Sequence, residues 1–108
     1  MNRSKQKGTA AETAVVRCLQ ENGHPHAERR ALSGSSDRGD ISIPGVVIEV
    51  KNCARLELAG WVDEARQEAA NAMVDLYAVW HKRKGTMDPL RWYVTMPGEV
   101  FLRLLEEY

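Results

Sequence analysis

The sequence predicts an α/β fold in one domain that spans residues 1–108, with a mixed sheet flanked by helices. Three stretches with apolar residues at helical spacing alternate with short apolar runs typical of strands. A length of 108 residues suffices for one hydrophobic core but not for two. One predicted helix lies between two predicted strands, an order that favours at least one parallel strand pair.

The first predicted elements are a basic arm and a helix. Residues 1–7 are polar and basic without apolar periodicity, so we expect a flexible arm that is either a frayed end or a DNA contact. Apolar residues at helical spacing predict a helix from Thr9 to Asn22 that ends at Gly23. Thr9 and Glu12 have the spacing of a capping box, which by itself explains Glu12.

Two short strands, residues 40–43 and 46–51, are predicted to pair across the turn dipeptide Pro44-Gly45. Asp40 and Glu49 then lie directly opposite each other, although a longer loop would shift Asp40 by one residue. Like charges at such positions destabilise a sheet unless a cation lies between them, and a hard divalent metal with oxygen ligands fits that place. The apolar side chains of this ribbon share one face and belong to the core: Ile41, Ile43, Val46, Ile48 and Val50.

The remaining predicted elements follow from periodicity and turn residues. Residues 27–32 form a candidate strand, which a loop of residues 33–39 links to the ribbon. After the ribbon the pattern predicts, in order, a helix at residues 58–73, strands at residues 76–80 and 91–96, and an amphipathic helix that begins at Pro97.

The net charge of zero hides an asymmetric distribution of charge. Residues 1–55 contain nine basic and six acidic side chains, whereas residues 56–108 contain six basic and nine acidic ones. Such asymmetry can steer DNA to one face of a protein. Cys18 and Cys53 lack the spacing of a zinc site and are expected to be reduced thiols. Because the chain has no long apolar stretch and no signal-peptide core, we expect it to be soluble and cytoplasmic, without a membrane partner.

Asp40, a short spacer and Glu49-Val50-Lys51 on the next strand resemble the motif of PD-(D/E)XK nucleases. Gly39 stands where the motif name has proline. Within that superfamily the chain is similar to small Holliday junction resolvases of the archaeal and phage type. Their Lys-Gly-X-X-X-Glu helix start and their Ser-Gly dipeptide are matched by Lys7-Gly8 with Glu12 and by Ser33-Gly34. The resemblance covers residues 5–94 and implies a restriction-endonuclease-like core.

The resemblance implies a Mg²⁺-dependent DNA endonuclease that resolves Holliday junctions by paired phosphodiester hydrolysis, with Mn²⁺ able to replace Mg²⁺. Asp40 and Glu49, with Glu12 and the carbonyl of Val50, would hold the metal ion. Lys51 would orient the attacking water or neutralise the charge that grows on the phosphate; its alternative role is a salt bridge to the carboxylates. Two roles remain open for Glu12: a helix cap and a residue of the active site.

Candidate DNA contacts are basic and polar residues near the motif. The guanidinium groups of Arg29 and Arg30 suit phosphate binding, and Ser33 matches the serine of the family. The other candidates are Lys7, Arg38, Gln67, Lys82 and Arg83. The substrate, a four-way branched DNA, has two-fold symmetry, so its paired incision implies a homodimer, with apolar surface offered by Trp61, Trp80, Trp92 and Phe101.

Two other functions remain open. One PD-(D/E)XK motif serves many substrates, so the chain is alternatively a nuclease that acts on flaps, nicks or DNA ends. The second alternative is a non-catalytic DNA-binding protein on the same fold. The complete set of Asp40, Glu49 and Lys51 argues against that alternative.

Overall fold

Helix α1, Arg3–Glu21, is the first element of the computed structural model, which describes residues 3–30 and 39–107. Its apolar residues recur at helical spacing, and the resulting stripe is buried in the core through Ala11, Val15, Val16 and Leu19. As predicted, the helix ends just before Gly23, whose φ of +98° lies in the region that favours glycine.

The start of α1 differs from the sequence prediction. The helix begins at Arg3 and not at Thr9, so it includes residues 3–7, for which the sequence predicts a flexible arm. Arginine, lysine and glutamine have high helix propensity, so a helix held by its buried face extends through this segment without apolar periodicity. Thr9 therefore lies inside the helix, where its carbonyl oxygen accepts a hydrogen bond from the Thr13 hydroxyl at 3.0 Å. Glu12 is consequently not part of a capping box.

Two small sheets follow, one of them mixed. Strand β1 (Glu28–Arg29) pairs antiparallel with β2 (Ile41–Ser42). Strand β3 (Val46–Lys51) pairs in parallel with β4 (Leu76–His81), and β5 (Tyr93–Thr95) pairs antiparallel with the other edge of β4. The predicted α/β class and the parallel pair are therefore confirmed.

Two further helices complete the described part of the chain. Helix α2 (Leu58–Ala72) is the crossover between the parallel strands β3 and β4. Helix α3 (Gly98–Glu106) follows β5, and a single turn of 3₁₀ helix, Pro89–Arg91, precedes β5. The predicted helix at residues 58–73 and the predicted strand at residues 76–80 each differ from the observed element by one residue.

The predicted hairpin at Pro44-Gly45 does not form a strand ladder in the described part of the chain. Strand β2 pairs with β1, and Asp40 N–H donates one backbone hydrogen bond to the carbonyl of Ile48 at 3.1 Å. Gly45 has a φ of +82°, which suits the third position of a type II turn. The backbone of Asp40 thus contacts β3 at Ile48.

Strand β3 lies between two apolar clusters. On one face Ile48 and Val50 pack with Ile41 and the stripe of α1, and Ile43 and Val46 lie partly buried against the same cluster. On the other face Val47 packs with Val79 of β4 and with residues of α2 and α3, namely Trp61, Ala65, Ala69 and Val100. The predicted apolar face of the ribbon is therefore present, and α2 covers the face that carries Glu49.

The four aromatic residues predicted to offer dimer surface have different environments. Trp61 and Trp92 are buried in the two clusters, and Trp80 is half-buried. Phe101, in contrast, is 53% exposed on α3. Of the predicted set, therefore, Phe101 alone is largely free to meet a partner.

Candidate functional site

The carboxyl end of β3 opens into a cleft of about 460 Å³. Helix α1 lines it with Lys7, Gly8 and Glu12, and the continuous run from Glu49 to Ala54 lines it together with Asp40. Clefts past the carboxyl ends of parallel strands are a frequent place for ligand sites in α/β folds. The structure thus brings the predicted catalytic candidates to one place: Glu12, Asp40, Glu49 and Lys51.

Asp40 is fixed on β3 by its side chain and by its backbone. Its Oδ2 accepts a hydrogen bond from Val50 N–H at 2.8 Å, and its own N–H is bonded to Ile48 as described above. Gly39, with a φ of +95°, lets the chain approach this closely, because a Cβ there would lie 3.0 Å from Val47 Cγ1. A glycine before Asp40 is therefore a packing requirement of this chain.

Glu49 is a buried carboxyl group that lies between two others, the half-buried Asp40 and the buried Glu68. The side chain of Glu49 is 5% exposed, and its Oε2 has no hydrogen-bond partner within the described part of the chain. Burial, and then the contact with Glu68, raises the pKa of Glu49 to about 9. Burial, and then Glu49, raises the pKa of Asp40 to about 8. At neutral pH this cluster therefore retains protons unless a cation replaces them.

Glu64 and Glu68 are site residues that the sequence prediction missed. Glu68 is 2% exposed on α2, and carboxylate oxygens of Glu49, Glu64 and Glu68 all lie within 4.8 Å of one another. The predicted helix residue, Gln67, is exposed and bonds Asn71 Oδ1 at 3.2 Å, away from the cleft. One signal was available, because Glu68 falls on the buried stripe of the helix, three residues after Ala65, where a charged residue needs an explanation.

Lys51 reaches from β3 to α2. Its Nζ donates to Glu64 Oε1 at 2.8 Å and lies 3.4 Å from Glu64 Oε2, while Glu49 Oε1 is 3.9 Å away. Burial alone would lower the pKa of Lys51, but the hydrogen bond to Glu64 and the charge of Glu49 outweigh it and raise that pKa. The ammonium group is therefore a permanent cation beside the buried carboxyl groups.

Glu12 projects from α1 to the cleft and is tied to β1. Arg29 Nε donates to Glu12 Oε1 at 3.1 Å. Burial, and then the charge of Asp40, raises the pKa of Glu12, whereas Arg29 opposes this rise. Since Glu12 is not part of a capping box, its interactions with Arg29 and Asp40 place it at the edge of the carboxyl cluster.

The candidate DNA contacts are spread over several places. Lys7 lines the cleft and Arg29 adjoins it through Glu12. Lys82 directly follows β4, with its N–H bonded to the Lys51 carbonyl at 2.9 Å, and the Arg83 guanidinium lies 5.9 Å from the ring centre of Tyr93. The side chain of Arg30 is half-buried. Two further candidates, Ser33 and Arg38, lie outside the described residues.

A divalent cation fits the cluster chemically. Among the described residues, carboxylate oxygens of Glu49, Glu64 and Glu68 lie within 4.8 Å of one another, Asp40 adjoins Glu49, and the buried Glu49 Oε2 has no hydrogen-bond donor. Such oxygen ligands suit Mg²⁺ and Mn²⁺. Buried carboxyl groups in mutual contact are costly unless protons or a cation compensate them. These carboxylates could therefore hold a divalent metal ion.

Comparisons with protein-family models, with curated proteins and with solved structures each find no match to this chain. Every helix in residues 3–30 and 39–107 is too short or too polar to cross a membrane.

Proposed function

We propose that this chain is a cytoplasmic, Mg²⁺-dependent DNA endonuclease of the PD-(D/E)XK superfamily that cuts four-way junctions as a homodimer. The observation that carries the proposal is the meeting of Asp40, Glu49 and Lys51 in one cleft, where the half-buried carboxyl group of Asp40 contacts the buried one of Glu49. The layered arrangement, with α1 on one face of β3 and α2 on the other, supports a restriction-endonuclease-like core.

The metal ion would be held by the carboxylates of Asp40 and Glu49 and the carbonyl of Val50, with Glu12 and Glu68 at the edges of the cluster. When bound, Mg²⁺ or Mn²⁺ would supply Lewis-acid activation of water and neutralisation of negative charge. Val50 N–H fixes one oxygen of Asp40 and leaves the other for the cation. With the metal ion bound, these residues are suited to catalyse phosphodiester hydrolysis.

In that reaction a water oxygen bonds to phosphorus while the bond from phosphorus to one sugar oxygen breaks. The water loses a proton and the departing oxygen gains one, so the products are a phosphate end and a hydroxyl end. Lys51 donates to the phosphate oxygens on which charge grows, which stabilises the transition state more than the bound substrate. Lys7 and Arg29 at the rim bind neighbouring phosphates of the backbone.

The choice of a junction as substrate rests on the resemblance of Lys7-Gly8 with Glu12 and of Ser33-Gly34 to resolvases. Paired incision needs two copies of the cleft, and the exposed apolar side chains of α3 offer surface for a second copy. They are 40–61% exposed: Phe101, Leu102, Leu104 and Leu105.

The test is cleavage of an immobile four-way junction beside linear duplex, flap and single-stranded DNA, in Mg²⁺ and in EDTA. We expect symmetric nicks in the junction alone, and their loss in EDTA and in Glu49→Ala. Gln67→Ala is the matched control, since Gln67 lies outside the cleft on α2. Cutting of every substrate would support metal-dependent hydrolysis. It would reject selectivity for junctions in favour of a nuclease that acts on flaps, nicks or DNA ends. Junction binding without any cutting would overturn the nuclease in favour of a non-catalytic DNA-binding protein.

A further inference from the structure

The ion pair between Lys51 and Glu64 links the cleft to helix α2. Lys51 is the last residue of β3, and Glu64 lies near the middle of α2, so the contact spans two elements. The ammonium nitrogen lies within 3.4 Å of both oxygens of Glu64, whereas the nearest oxygen of Glu49 is 3.9 Å away. The position of the ammonium group is thus set mainly by the helix.

This pair differs from an ordinary surface ion pair, which contributes little to stability. The Lys51 side chain is only 20% exposed, and it adjoins a carboxyl group that is 5% exposed. Without Glu64, the nearest partners of the ammonium group would be Glu49 and Asp40. If Lys51 moved towards those carboxylates, it would compete with a cation for them. Its ammonium group would then no longer be placed to bind a substrate phosphate.

We infer that Glu64 is a positioning residue that holds the Lys51 ammonium group at the mouth of the cleft and away from the Asp40–Glu49 pair. The inference rests on the proposed function for its effect on cleavage, but the contact itself is independent of that function. Glu64 does not contact the substrate, and its effect on cleavage is transmitted through Lys51. Lys51 in turn acts as a fixed hydrogen-bond donor.

The kinetic test compares Glu64→Gln with Asp63→Asn, on a junction substrate in Mg²⁺. Both changes remove one negative charge from the same helix, but Asp63 is exposed and has no hydrogen bond or ion pair with Lys51. We expect Glu64→Gln to lower kcat by roughly 10- to 100-fold with little change in KM, because a displaced donor affects the transition state more than binding. Glu64→Asp, which keeps the charge on a shorter side chain, should recover part of the loss.

A double-mutant cycle tests whether Glu64 acts only through Lys51. In a Lys51→Met background, Glu64→Gln should have no further effect on kcat, since its partner is gone. Equal losses in Glu64→Gln and Asp63→Asn, or additive losses in the cycle, would overturn the inference while wild-type cleavage upholds the proposed function.

An NMR experiment tests the positioning role of Glu64 even if the wild-type protein cuts no DNA. The NMR signal of a lysine ammonium group is seen when a hydrogen bond slows the exchange of its protons with water. We expect a Lys51 signal in the wild type and in Asp63→Ala, and its loss in Glu64→Ala, which removes both acceptor oxygens of Glu64. A signal that survives Glu64→Ala would refute the positioning role whatever the nuclease assay gives.

Discussion

Asp40 combines two opposing effects in one side chain. Its hydrogen bond from Val50 N–H stabilises the fold, whereas its contact with the buried Glu49 destabilises the ionised form. Asparagine keeps an oxygen that accepts from Val50 and removes the charge. The two effects are therefore separable by a single substitution.

We predict that Asp40→Asn lowers junction cleavage by at least about 100-fold, in line with the loss of a transition-state-stabilising group. Junction binding measured above pH 8, where Asp40 is ionised without metal, should be retained or tightened, because a negative charge that repels phosphate is gone. Gel-shift binding in EDTA and cleavage in Mg²⁺ measure the two quantities on one preparation. Loss of binding together with cleavage would count against this role for Asp40.

At the scale of one helix, α2 carries both a structural stripe and part of the site. Trp61, Ala65 and Ala69 pack into the core, and Glu68 occupies the same buried side. Helical periodicity predicts this stripe well. Periodicity does not explain why Glu68 lies on this stripe, because the residue that it contacts, Glu49, lies on β3.

We predict that Glu68→Gln raises the metal-free free energy of unfolding by roughly 1–2 kcal/mol, since one ionisable carboxyl group is removed from a crowded buried cluster. The same change should weaken Mn²⁺ binding by about tenfold. Urea unfolding and calorimetric titration measure the two effects. Gln67→Ala, one position away and exposed, should leave both unchanged. Unaltered Mn²⁺ affinity in Glu68→Gln would remove Glu68 from the metal site.

The sequence predicts most elements because each depends on local periodicity or on turn residues. The strand alternation from Val46 to Lys51 and the stripe of α1 are of this kind. The pairing of β2 with β1 is not, since two-residue strands carry no periodicity and the competing hairpin has similar local signals. The choice of Gln67 over Glu68 fails for a related reason: one residue turns a helical side chain by about 100°, so a small error exchanges the wet and buried sides.

For the whole molecule, the raised pKa values of Asp40 and Glu49 make stability depend on pH. Both groups bind protons more tightly in the folded state than in the unfolded chain, where their pKa values are near 3.8 and 4.5. Their stabilising contribution is therefore complete below the unfolded pKa values and is lost as pH rises to about 8 or 9.

We predict that the metal-free protein loses stability as pH rises through this range and that Glu49→Gln has a shallower dependence. Added Mg²⁺ should restore stability most at the upper end, where the carboxylates are ionised. Urea midpoints measured across the range, with and without Mg²⁺, test this. A wild-type slope equal to that of Glu49→Gln would show that Glu49 does not carry the effect.

The exposed apolar surface of α3 makes the proposed dimer testable. If this helix meets a second copy, Leu102→Glu should convert the dimer to a monomer, whereas Leu56→Glu, an exposed residue outside the helix, should not. Light scattering after gel filtration distinguishes the two states. A wild-type protein that is monomeric at assay concentrations would exclude the proposed dimer.

Strand β3 belongs to both apolar clusters and also carries Glu49 and Lys51. A strand shared in this way cannot detach from one layer without loosening the other, so the cleft and the core should open in a single cooperative event. The amide of Val50, bonded to the Asp40 carboxyl group, is then expected to exchange its hydrogen with solvent only through global opening. The proposed catalytic groups would thus keep their arrangement for as long as the native state lasts, and not only for the lifetime of one loop conformation.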